Sequence, residues 1–273
     1  METKSLFYPV EKVKVSEILP GYSTNKQKDY AIITKVDGKP KLLNLCSKGY
    51  QLVENETIIS HARYLLELSG FNTQLTYTHY DNSKFFIDLT LDVKKFGFGL
   101  EIGKKKDILV PKLRLVNSYD GSIKYNASAS ILRLVCTNGL TMPVAISSFR
   151  KRHTKQLEGD KAVEMAIEMI QKIIESTDII TESWDQLVDQ TVVDIEDRVM
   201  EVIENTGFPI TLAENVIEKV VEEQKIFNLP RPNDWLVYNG FNFELNHNFE
   251  DTVLKEHKRE IIDRNIQTYL LEN

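Results

Sequence analysis

Between Lys94 and Lys161 the chain carries fourteen lysines and arginines against five aspartates and glutamates, and these are the residues best suited to binding chemistry. Lys104, Lys105 and Lys106 stand in a row, Lys112, Arg114 and Lys124 follow, and Arg150, Lys151 and Arg152 form a second cluster beside His153. Phosphates are held by point charges or guanidinium forks along a groove, and sequence-neutral binding adds aromatic platforms for the bases. Phe96, Phe98, Tyr119, Tyr125 and Phe149 are interspersed among the cations and offer such platforms. Residues 1–93 are neutral overall and residues 162–273 carry a net −15, so the total of −6 conceals a basic middle of +9. A polyanion is the partner this polarity favours. The competing reading pairs these cations with the acidic residues that follow, inside the chain or in a neighbouring subunit. Membranes and other anions are a third.

Catalytic constellations are harder to find. Metal-dependent phosphodiester cleavage needs clustered carboxylates around metals about 4 Å apart. Asp88 and Asp92 share a strand face, but four residues of strand separate them by roughly 13 Å, and Asp120 belongs to a turn, where Asp normally bonds its own backbone. Gly97-Phe98-Gly99-Leu100-Glu101-Ile102-Gly103 has the wrong spacing for a dinucleotide loop and reads as a bend or bulge in strands. Cys136 and Ser148 are the candidate nucleophiles, the latter in a Ser-x-x-Lys string, yet neither has an identifiable base. The five histidines are scattered. Arg133 interrupts an apolar strand face between Ile131 and Val135, and a buried guanidinium there needs a carboxylate or several carbonyls. Cys46 and Cys136 have no ligand spacing and read as buried, reduced thiols. No metal, cofactor or catalytic residue is expected.

The elements that position these residues change type along the chain. The first half reads as strands. Tyr30–Val36 and Lys41–Cys46 flank Asp37-Gly38, Phe71–Tyr80 and Lys84–Val93 flank Asp81-Asn82, and Ile108–Ser118 and Ile123–Cys136 flank Tyr119-Asp120-Gly121-Ser122. One amphipathic helix, roughly Glu56–Leu68, is inserted early and ends at Gly70. Alternation gives the return strand of the second hairpin a wet face of Lys84, Asp88, Thr90 and Asp92. It gives the third a small, polar, cationic face of Lys124, Asn126, Ser128 and Ser130. The second half reads as about four helices: one capped by Asp160, one from Glu182 to Glu204, one opened by the capping box Thr211-Leu212-Ala213-Glu214, and one from Asn248 or Asp251 to Leu271. The expectation is an α+β fold, an N-terminal antiparallel sheet of hairpins followed by helices packed on it. Residues 1–158 form the β-rich part with basic hairpins and residues 159–273 an acidic helical region on the same core. No apolar run has the length of a membrane span, and the opening residues lack a signal pattern, which points to a cytoplasmic protein.

Two segments carry a resemblance. Asn117-Ser118-Tyr119-Asp120-Gly121-Ser122, followed by Ile131-Leu132-Arg133-Leu134-Val135-Cys136-Thr137-Asn138-Gly139-Leu140, resembles the hallmark of phage/plasmid-like proteins with the domain of unknown function 932. Gly49-Tyr50-Gln51-Leu52-Val53-Glu54-Asn55 and Asn233-Asp234-Trp235-Leu236-Val237-Tyr238-Asn239-Gly240 resemble further elements of that family, in its order. Tyr119 stands where the family usually has His, and Gly139 where it has Thr; the first argues against a mechanism needing an imidazole there. The resemblance implies a mobile-element origin and assigns no reaction. The order of elements is also similar to that of phage single-strand annealing proteins, an analogy of fold alone.

The function expected from the sequence is therefore non-catalytic nucleic-acid binding in a bacterial cytoplasm, single-stranded DNA favoured, in recombination or replication and with assembly into an oligomer. Lys104, Lys105, Lys106, Lys112, Arg114, Lys124, Arg150, Lys151 and Arg152 would hold phosphates, with Tyr119, Tyr125 and Asn126 at the bases. The alternatives are a host-takeover or anti-defence protein that binds a host protein through the acidic helices, and an enzyme whose site is not legible in the sequence.

Overall fold

The computed structural model describes residues 8–21, 28–36, 38–81, 83–134, 139–140, 149–151, 159–247 and 253–273. In chain order the first elements are β1 (Val10–Lys14), α1 (Val15–Ile18), β2 (Tyr30–Val36), β3 (Lys39–Cys46), α2 (Asn55–Leu68), β4 (Thr73–Asp81), β5 (Lys84–Leu91) and α3 (Val93–Phe96). Then come β6 (Phe98–Ile102), β7 (Lys105–Ser118), β8 (Tyr125–Arg133), β9 (Gly139–Leu140) and β10 (Phe149–Lys151). The helices α4 (Gly159–Glu175), α5 (Thr177–Asp189), α6 (Ile195–Thr206), α7 (Ala213–Phe227), α8 (Asp234–His247) and α9 (Val253–Glu272) follow. The fold is α+β, as the sequence implies. Two compact units interleave along the chain: Met1–Thr90, Leu113–Ala129 and Ser147–Met169 make the first, and Leu91–Lys112, Ser130–Ile146 and Ile170–Asn273 the second. The units do not part at residue 158, where composition changes, because β7 and β8 each begin in one unit and end in the other.

In the first unit β1, β2 and β3 form an antiparallel sheet in that order. The turn at Gly38, which adopts φ +77°, closes the β2–β3 hairpin where Asp37-Gly38 predicts one. Strand alternation sends Ile32 toward Val10, Cys46 and Tyr119, and sends Ala31 and Ile33 toward Val15, so both faces of β2 are packed. The helical stripe of α2 buries Ile58, Ile59, Ala62 and Leu66, and the helix stops at Gly70 with φ +78°. A second sheet runs β10-β8-β7-β5-β4. Its β5 buries Phe85, Ile87, Leu89 and Leu91 as alternation requires, yet Asp88 and Thr90 are buried too, which corrects the expected wet face. An interior strand can bury Asp88 because Arg114 of β7 bonds both its oxygens, at 2.7 and 2.9 Å.

In the second unit β6 pairs with the start of β7 and β9 with the end of β8. Gly103, the only residue of the two-residue β6–β7 turn with positive φ (+61°), gives the type II′ geometry that suits a twisted hairpin. The glycine-rich stretch is thus a hairpin, in line with its reading as irregular strand. In the C-terminal half six helices, α4 to α9, stand among the described residues where about four were expected. The predicted helix over 182–204 is two, α5 and α6, because Asp194 caps a new helix by accepting from the Asp197 N–H at 3.1 Å. The expected Thr211 cap is not made; a 3-10 turn, Ile210–Leu212, leads into α7 instead. The start expected for α9 at Asn248 or Asp251 lies outside the described residues. Helix α8 was not expected as a helix. Eleven of its fourteen residues are buried, so it has no polar face and no amphipathic period to read. It packs on α5, α7 and α9, with Trp235 5.2 Å from Trp184 and Phe241 4.8 Å from Phe208.

The α7–α8 approach depends on Gly240, where an added Cβ would meet the Val216 carbonyl and the Val220 side chain at 3.0 Å. Gly240→Leu should lower stability by about 1–3 kcal/mol through overpacking, read from urea unfolding at constant slope.

Candidate functional site

The basic belt is not one surface. Lys112 is buried at 1% exposure, and Arg114 is half-buried and spent on Asp88. Tyr119 and Tyr125, expected as stacking platforms, are 2% and 1% exposed, and Asn126 is buried as well. Most of β7 and β8 is buried on both faces, so Tyr125 on the inner face is covered along with Asn126, which alternation assigns to an outer one. On that face of β8 only Lys124 is exposed, at its edge, while Ser128 is half-buried and Ser130 buried. Lys104, Lys105 and Lys106 are exposed at the β6–β7 turn. Lys105 donates to the Ile226 carbonyl near the C-terminus of α7, and Lys106 lies 3.7 Å from Glu101. Strand β10 pairs Arg150 with Asn126 and Lys151 with Tyr125 through the backbone, so these four candidates share one register. Arg152, Cys136, Ser148 and His153 lie outside the described residues.

What the structure does assemble in the first unit is the turn at Asp120. Ser122 donates to the Asp120 carboxylate from N–H at 2.9 Å and Oγ at 2.6 Å, and Ser83 donates at 2.7 Å. Burial alone would raise this carboxyl, but the bonds from Ser122 and Ser83 hold it below the ordinary value. Upstream, Asn117 donates to the Val53 carbonyl at 2.9 Å and to Asn55 Oδ1 at 2.8 Å, and the Asn55 N–H donates to the Tyr119 hydroxyl at 3.0 Å. The hallmark residues therefore tie the end of β7 to the start of α2. Tyr50 joins them by donating to the Ser118 carbonyl at 3.3 Å.

A cleft of about 740 Å³ opens over this turn, lined by Lys28, Asn44, Cys46, Lys48, Gly49, Tyr50, Asp120 and Gly121 among others. Two segments singled out in the sequence, Gly49-Tyr50 and Asp120-Gly121, meet here although seventy residues of chain separate them. Sequence reasoning missed Lys28 and Lys48, because neither stands in a basic cluster. The Cys46 thiol in the wall is no activated nucleophile: burial pushes its pKa up, against the pull of Lys12.

In the second unit Arg133 is fully buried and finds the partners its position demands. Its Nε bonds Asp107, and its Nη1 bonds Glu223 at 2.7 and 2.8 Å. Trp235 Nε1 donates to Asp107 at 2.8 Å, and the guanidinium lies 5.8 Å from the ring centroids of Phe227 and Trp235. Burial raises both the Asp107 and the Glu223 carboxyl above their ordinary values, and Arg133 only partly offsets this. The cluster is structural, closed on all sides. Among the described residues no group of three or more His, Cys, Asp or Glu side chains could hold a metal ion, and Asp92 serves as the cap of the Lys94 N–H at 3.0 Å. No described helix is long and apolar enough to cross a membrane.

Fold and site together define an α+β protein whose hallmark residues build scaffold beside an open cleft. Residues 42–206 match the family model described as domain of unknown function 932, and the chain belongs to that family. Searches of curated proteins and of solved structures return no match.

Because Asp107 and Glu223 hold protons more tightly when folded, their contribution is fully present below the unfolded values of about 3.9 and 4.3. It is lost as pH rises through their raised folded values. Glu223→Gln leaves Arg133 balanced by Asp107, so its urea midpoint should fall less than that of the parent as pH rises above about 4. Equal falls would show that Glu223 is not a titrating element.

Proposed function

We propose that the protein binds nucleic acid through the phosphate backbone and does no chemistry on it. The observation that carries this reading is a set of exposed lysines left without a carboxylate among the described residues: Lys28, Lys48 and Lys124 in the first unit, Lys94 and Lys104 in the second. Lysine is a compact, strongly hydrated point charge, suited to phosphate rather than to base edges. With Tyr119 and Tyr125 buried, stacking by those rings drops out, and binding is sequence-neutral and steeply salt-dependent. Single-stranded DNA is the favoured form, since a flexible strand can bring its phosphates to lysines that no fixed groove aligns. A mobile-element origin, which the phage/plasmid-like resemblance implies, would suit a task in recombination or replication in a bacterial cytoplasm. The basic middle and acidic end suit head-to-tail assembly of copies.

A second reading, docking of a host protein on the acidic helical region, draws on Ile179, Val193 and Ile210, which are 70%, 82% and 60% exposed. Capture from host lysate that is lost on Val193→Asp would favour it.

Fluorescence anisotropy with a labelled single-stranded oligonucleotide at several salt concentrations tests the first reading. Submicromolar binding at low salt is expected, and Lys104→Ala/Lys124→Ala should reduce the salt slope by about one per lysine. No binding at low salt would refute the reading.

A further inference from the structure

Resting on the nucleic-acid reading above, we propose that the cleft over the Asp120–Gly121 turn is the docking point for a single nucleotide phosphate, carried by a strand or by a free nucleotide. Its cations are in place. Lys28 and Lys48 line it, exposed and without a carboxylate partner among the described residues. Behind them the half-buried Lys12 donates to the carbonyls of Lys48 at 2.8 Å and Tyr50 at 2.7 Å, and its ammonium sits 4.8 Å from the Tyr30 ring centroid. That ammonium holds the Lys48–Tyr50 loop in one shape and adds a third positive charge beside the cleft. Preorganised loops of this kind lower the ordering cost of binding.

The carboxylates of the lining do not cancel these charges. Asp120 accepts three hydrogen bonds from Ser83 and Ser122, so its oxygens are occupied within the turn while it keeps its negative charge, and Lys12, Lys28 and Lys48 outnumber it and Asp29. Asp29 is not free either. Asn44 and Tyr50 supply neutral polar groups, and Leu45, 38% exposed, supplies apolar surface for a sugar or base. Gly121 keeps the site open: it adopts φ +71°, and a Cβ there would come within 3.2 Å of Asn44 Nδ2 and 3.6 Å of Tyr50 Cε2. A volume of about 740 Å³ falls in the range of small-molecule sites. With the Cys46 thiol protonated and Asp120 saturated, the lining binds and does not react.

The test is isothermal titration calorimetry of the full chain with thymidine monophosphate and with thymidine, beside oligonucleotide binding by anisotropy. The monophosphate should bind at least tenfold more tightly than the nucleoside. Lys28→Ala/Lys48→Ala, two exposed positions whose loss leaves the core intact, should erase that difference, and Lys124→Ala should not. Equal binding of nucleotide and nucleoside, or a Lys28→Ala/Lys48→Ala variant that binds the monophosphate like the parent, overturns the site. The two readings fail separately. Oligonucleotide binding untouched by Lys28→Ala/Lys48→Ala, with no monophosphate binding, removes the cleft and leaves the strand-binding role to Lys104 and Lys124. Monophosphate binding without oligonucleotide binding removes the strand-binding role and makes the free nucleotide the ligand.

Discussion

A guanidinium sealed from water fixes the second unit. Arg133 sits at the end of β8 with no exposure, so every arrangement of β7, α7 and α8 that fails to bring it carboxylates leaves an isolated charge in the interior. Breaking such a buried pair costs about 3–5 kcal/mol, whereas replacing the whole cluster by apolar residues is often neutral. The triad's work is therefore selection more than net stabilisation. It requires Asp107 from β7, Glu223 from α7 and, through the indole on Asp107, Trp235 from α8 to converge on one strand end. Helix α8, buried nearly all round, can pack in only one rotation once Trp235 is committed.

The first unit applies the same logic with neutral groups. Asn117, Tyr119 and Asn55 are buried polar residues whose bonds leave little choice of geometry, and they anchor the turn that carries Asp120 and Gly121. Residues with the look of a reactive motif thus serve as framework. The surface that framework presents, a cleft edged by Lys28 and Lys48, is where this family's hallmark meets solvent in a form a ligand could use.

Much of the fold was legible because its periodicities are local. The placing of β5 and β8 as strands, the stripe of α2 and the turn at Gly38 follow from residues a few positions apart, and they are found where expected. Burial on the second face of a strand is not local: Asp88, Asn126 and Ser130 read as solvent-facing until packing from distant parts of the chain buries them and Arg114 neutralises Asp88. Helix α8 was lost for a related reason, since a helix without a polar side has no period. The charge count was the least reliable guide to the site. It weighed Arg133, Arg114 and Lys112 equally with Lys104 and Lys124, although the first three are covered or paired, and it passed over Lys28 and Lys48, which lie outside the basic stretch in sequence and together at a cleft.

The central claim is that a small set of exposed, unpaired lysines, and not the basic stretch as a whole, meets the nucleic acid. Lysine acetylation footprinting by mass spectrometry, with and without a single-stranded oligonucleotide, addresses it residue by residue. The account predicts protection of Lys28, Lys48, Lys104 and Lys124 on adding the strand, with Lys112 unreactive in both conditions. Unchanged reactivity at those four lysines under conditions of saturating oligonucleotide would contradict it.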